Sequence, residues 1–98
     1  MKFLILARPR AGVQPSSLIF EEDLKYFDSL IAKKTADCIY SFVAGGGCSI
    51  VNAESHERVM EILRDEPGYA FLEWDVLPLC DYKQTIAKDI KVLRKQGM

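Results

Sequence analysis

Oily and polar positions along this chain switch between two periods, one suited to strands and one to helices. Phe3 to Arg8 reads as a strand, with Phe3, Ile5 and Ala7 on one side and Leu4, Leu6 and Arg8 on the other. Pro9 to Pro15 contains two prolines and a glycine and marks a loop. From near Ser16 to Lys34 the spacing becomes helical: Phe20, Leu24, Phe27 and Ile31 form a stripe expected to be buried, with Leu30 beside it. Ser16 or Ser17 can cap the start. The early acids Glu21, Glu22 and Asp23 and the late Lys33 and Lys34 suit the helix dipole. The acids read as a solvated face, with Asp23 and Tyr26 as exceptions because residues three apart share a side.

Cys38 to Ala53 is the centre of the pattern: two apolar, β-branched and aromatic runs flank Gly45, Gly46 and Gly47, which predicts two strands and a tight reversal. Cys38, Tyr40 and Phe42 are expected on one face and Ile39 and Val43 on the other, so both faces need cover. Ser55 is a natural cap for a second helix carrying Val59, Ile62 and Leu63, which Pro67-Gly68 ends. His56, the only histidine, falls in its exposed first turn. A last strand is expected from Tyr69 to Leu77. Ala70, Leu72, Trp74 and Val76 make its oily side, and Glu73 and Asp75 lie among Tyr69, Phe71 and Leu77 on the other. Pro78 to Cys80 reads as a connector. Asp81 with Gln84 opens a closing helix striped by Tyr82, Ile86, Ile90 and Leu93.

Strand, helix, strand, strand, helix, strand is the ferredoxin-like βαββαβ plan, an α+β fold with one antiparallel sheet and two helices on a single face. Residues 1–80 form that domain, and residues 81–98 form an extra C-terminal helix that packs on the domain or on a partner subunit. The face left bare carries large apolar residues, which marks it as an interface. Two such sheets meeting face to face give a dimeric α+β barrel with isologous contacts. A homodimer or larger homo-oligomer is therefore expected.

Composition narrows the partners. With 49% hydrophobic residues, 28% charged residues and a net charge of −1, the chain has no broad pull on nucleic acid or an anionic membrane. No apolar run approaches the roughly 20 residues of a bilayer span. The opening stretch is too short in its oily part for a signal peptide and reads as the first strand, so the cytoplasm is the expected compartment. Cys38, Cys48 and Cys80 are odd in number and lack metal spacing. Centring the turn on Gly46 keeps Cys48 away from Cys38. Three reduced thiols, no metal site and no cofactor are expected.

Chemistry enters through charged groups near apolar surface. A carboxylate beside oily side chains holds its proton more tightly, which makes Glu73 a candidate for proton transfer. Arg8 and Arg10 near a strand end can grip an anionic substrate group through the guanidinium fork.

The segment Cys48-Ser49-Ile50-Val51-Asn52-Ala53-Glu54-Ser55, then Pro67, then Glu73-Trp74-Asp75-Val76-Leu77-Pro78-Leu79, resembles the muconolactone delta-isomerase family. In that family the last strand similarly reads acid, apolar, acid, Val, any residue, Pro, Leu. Met1-Lys2-Phe3 and the stretch Asp23 to Leu30, with Tyr26 and Leu30 in register, extend the likeness over residues 1–86. The resemblance implies a cofactor-independent isomerase that shifts a double bond in a small unsaturated lactone or organic acid. Such chemistry removes a proton beside a carbonyl and returns one elsewhere. It points to Glu73 or Asp23 as base and acid and to Tyr26 and Tyr40 as hydrogen-bond donors. Arg8 would take a substrate carboxylate, and Tyr40, Phe42 and Phe71 would be substrate contacts. A non-catalytic binding or assembly module and a cofactor-free monooxygenase of the same barrel class stand as alternatives.

Overall fold

The computed structural model describes residues 1–97. The elements are β1 (Lys2–Pro9), α1 (Ser17–Ala32), β2 (Ala36–Ser41), β3 (Gly47–Asn52), α2 (His56–Arg64), a 3-10 turn (Tyr69–Phe71), β4 (Leu72–Leu79) and α3 (Tyr82–Lys95). The strands form one antiparallel sheet in the order β2-β3-β1-β4, which is the expected ferredoxin-like topology with an added helix.

Register divides the side chains between two faces. Phe3, Ile5 and Ala7 pair with Val51, Ser49 and Gly47 on one side and with Pro78, Val76 and Trp74 on the other. All of these share the face under the helices. Leu4, Leu6, Cys48, Ile50 and Leu77 fall on the opposite, uncovered face because successive side chains alternate. The core lies on the helix side, where Phe3, Ile5 and Val51 meet Val59, Ile62 and Leu63 of α2. Ser55 caps α2 by accepting a hydrogen bond from the Arg58 amide at 3.2 Å. Ser16 caps α1 through the Ile19 amide at 3.3 Å.

The first helix departs from its expected orientation. Phe20, Leu24 and Ile31 are exposed, and the side turned inward carries Asp23, Tyr26, Phe27 and Leu30. At 100° per residue this is a rotation of less than roughly a quarter-turn. Two polar anchors set it: Tyr26 donates to the Ile62 carbonyl of α2, and Asp23 accepts from the Gly68 amide just beyond it. A carbonyl at a helix end and an amide at a turn need partners more than an apolar stripe needs centring. The helix therefore stands over the sheet with space beneath it.

The hairpin is centred on Ala44, since Ser41 pairs with Gly47, so Cys48 stands opposite Tyr40 rather than Ala44. All three cysteines are unpaired thiols. Phe42 falls outside β2 and leaves the alternation expected of it. Gly46, with φ of 75°, lies so close to β1 that a Cβ there would sit 2.1 Å from the Ala7 carbonyl oxygen. The last strand starts at Leu72, three residues later than its pattern implies. The Tyr69 and Phe71 amides bond back to the Glu66 and Gly68 carbonyls and keep the chain turning. It also runs through Pro78 to Leu79, because a proline is harmless on the free side of an edge strand. Every residue of α3 is exposed, and the chain extends to 59 Å along its longest axis.

Candidate functional site

Beneath α1 the sheet and helices enclose an open cavity of about 450 Å³. That volume falls in the range that holds small organic ligands. Ile39, Ser49, Leu72 and Trp74 of the sheet form its floor, and Phe20, Leu24 and Phe27 of α1 its roof. Phe42 and the glycine hairpin close one end. Phe20 and Leu24 are thus exposed for a reason: they face a space that protein atoms do not fill.

At the deep end two carboxyl groups meet. Asp23 and Glu66 are buried side by side, with 9% and 4% of their surface exposed. Asp23 also accepts from the Gly68 amide at 2.9 Å. One oxygen of Glu66, Oε1, is buried with no hydrogen-bond partner. Loss of hydration and the adjacent Asp23 charge push Glu66 from its ordinary 4.5 up to about 8. Burial also raises Asp23, while the Gly68 amide pulls it back. At neutral pH Glu66 therefore keeps its proton, with the Asp23 carboxyl beside it. Gly68 makes this contact possible, because a Cβ there would lie 2.4 Å from Asp23 Oδ2. Burial first, then the negative charges of Asp65 and Glu66, push the Tyr26 phenol up to about 12, so its hydroxyl stays protonated.

The sequence-derived candidates separate in space. Asp23, Tyr26, Tyr40 and Phe42 border the cavity. By register the Tyr40 side chain belongs to the uncovered face, where it is 67% exposed. Glu73 lies across from Arg8 on that same uncovered face and is exposed. The aromatics meant to crowd it, Tyr69 and Phe71, leave with the 3-10 turn. Arg8 holds Asp75 at 2.8 Å outside the cavity. Phe71 stands in the turn, accepting the Arg10 amide through its carbonyl, and does not line the cavity. Glu66 escaped the sequence reading although its spacing shows it: Val59, Ile62, Leu63 and Glu66 occupy one helical stripe, and the last member is an acid. Among the described residues no cluster of His, Cys, Asp and Glu is arranged to hold a metal ion.

Sheet order, helix placement and cavity define a ferredoxin-like α+β fold with an added C-terminal helix. Its solved neighbours include muconolactone isomerase, 15% identical, with a TM-score of 0.73 over 84% of this chain and 91% of that one. They also include 5-chloro-2-hydroxyhydroquinone dehydrochlorinase from Burkholderia phenoliruptrix AC1100, solved with 2,5-dihydroxybenzoquinone. It is 20% identical, with a TM-score of 0.69 over 86% of this chain and 98% of that one. No protein-family model matches the sequence, and no curated protein matches it either.

Proposed function

We propose that this chain is an isomerase-like enzyme that moves a proton, without a cofactor, between two carbons of a small unsaturated carbonyl compound. The Asp23–Glu66 pair in the cavity carries this reading. Two carboxyls held together with one proton supply a base and an acid at the same pH. Asp23 takes the proton beside the carbonyl, the electrons move into a dienolate, and Glu66 returns a proton to the far carbon. The proton on Asp23 then passes to the adjacent Glu66, and the pair is restored. Tyr26 is assigned to the developing oxyanion, its hydroxyl turning from the Ile62 carbonyl to the substrate oxygen. The names of the two structural neighbours, an isomerase and a dehydrochlorinase, support a catalytic use of this fold. A purely assembling module would gain nothing from a buried carboxyl oxygen left without a partner.

The same reading places a second copy of the chain over the uncovered sheet face, with Leu4, Leu6, Ile50 and Leu77 at the contact. Three unpaired thiols fit a reducing cytoplasm. Among the described residues no helix is long and apolar enough to cross a membrane.

Proton exchange tests the chemistry directly. Unsaturated lactones in deuterated buffer should gain deuterium beside the carbonyl, followed by NMR. Asp23→Asn and Glu66→Gln should each slow this roughly 100-fold or more, the scale of general acid–base groups. Glu73→Gln should leave it unchanged. Exchange that survives both cavity substitutions would remove the pair from the mechanism.

A further inference from the structure

The charge of the cavity wall says what kind of molecule belongs inside. Among the described residues that line it, none is a lysine, arginine or histidine. The only lining side chains able to carry charge near neutral pH are Asp23 and Glu66, and that charge is negative. The basic residues nearest by chain position, Lys25 and Arg64, are exposed and do not line the cavity, and two further arginines are committed elsewhere. Arg8 is tied to Asp75 on the far side of the sheet, and Arg58 is tied to Glu61 at 2.9 Å on the exposed side of α2. Lys2 is held by Asp37 and Asn52 at the other end of β1. The remaining wall is Phe20, Phe27, Phe42 and Trp74 with aliphatic neighbours, broken by the hydroxyls of Tyr26, Tyr40, Ser41 and Ser49 and the Cys48 thiol. Aromatic walls favour a flat ring, and the two serines offer hydrogen bonds to keto or hydroxyl groups.

We infer that the cavity takes an uncharged ring compound bearing keto or hydroxyl groups and excludes carboxylates and phosphates of the same shape. The inference rests on the reading of this cavity as the reaction site, and it narrows the substrate from "lactone or acid" to the neutral member. An anionic group placed within several ångströms of Asp23, in a half-dry space with no cation to offset it, loses on the order of 100-fold in affinity. The guanidinium that the sequence offered for a substrate carboxylate is on the wrong side of the sheet to relieve this.

Two matched pairs test it by calorimetry on the purified full chain: a carboxymethyl butenolide and its methyl ester, and 2,5-dihydroxybenzoate and its methyl ester. Each ester should bind at least 100-fold more tightly than its acid. Asp23→Asn should narrow the gap to within about 10-fold, since the asparagine oxygen can still accept the Gly68 amide. Ser41→Lys, at the exposed rim, should raise binding of the acids relative to their esters by roughly 10-fold or more, which provides a second variant if the first folds poorly. Acids binding as tightly as esters, or no binding of either ester, would overturn the inference. Deuterium uptake read on the same ester samples separates it from the catalytic proposal. Esters that bind but never exchange would sink the proton-transfer mechanism and leave the substrate class standing.

Discussion

Glu66 shows how much one side chain can report. Its proton is held in the folded chain up to about pH 8 and released near 4.5 when the chain unfolds. Between those values the folded state binds more protons at Glu66 than the unfolded one, so this group's contribution to stability is greatest at acid pH and is lost as pH rises through about 8. Thermal unfolding followed by circular dichroism should show the midpoint dropping between pH 5 and 9, and Glu66→Gln should flatten that slope. Gly68 is the complementary case. A methyl group at 2.4 Å from Asp23 Oδ2 must push the carboxyl pair apart, so Gly68→Ala should destabilise by about 1–3 kcal/mol in chemical denaturation. At this scale the sequence was half legible. Asp23 and Tyr26 were singled out by their spacing. Glu66 was hidden because an acid before Pro-Gly looks like an ordinary helix end, and Glu73 looked buried only while Tyr69 and Phe71 were placed in the strand beside it.

Among the elements, α1 and its exit show local chemistry competing with the apolar pattern. The helix rotates to satisfy Tyr26 and Asp23, and in doing so opens the cavity rather than filling it. It ends with Lys34 at φ of 61°, a conformation that costs a side-chain-bearing residue and costs glycine nothing. Lys34→Gly should therefore raise stability by about 1 kcal/mol, read as a shift in denaturant midpoint. The hairpin predicts the reverse. Gly46→Ala combines positive φ with a Cβ against the Ala7 carbonyl, and should cost about 2 kcal/mol or more while disturbing the cavity end that Phe42 closes. Helix and strand positions were readable from periodicity and capping residues. Their rotation and exact ends were not, because these depend on hydrogen bonds between residues 36 and 45 positions apart, Tyr26 to Ile62 and Asp23 to Gly68.

For the whole molecule, the asymmetry of the sheet is the main fact. One face is closed by helices, and the other presents Leu4, Leu6, Ile50 and Leu77 edged by the Arg8–Asp75 and Lys2–Asp37 pairs. Exposed pairs of this kind contribute little, typically under about 1 kcal/mol each, so the apolar strip between them dominates any association. The proposed dimer makes a clear forecast: Leu6→Arg should convert a dimer to a monomer in sedimentation while leaving the helix-side core, built on Ile5 and Val51, intact. A wild-type chain that sediments as a monomer would refute the dimer. The exposed stripe of α3, with Ile86, Ile90 and Leu93, has the same need for cover and belongs to the same proposal.

Periodicity, caps and glycines were enough to establish the order of elements, the ferredoxin-like plan and the oily uncovered face, because those properties follow from neighbours a few residues apart. The cavity and the acid pair in it were decided only by tertiary structure. Both arise where the end of one helix meets the middle of another, and although Glu66 continues the apolar stripe of α2, the pattern of either helix alone does not say what that acid will meet.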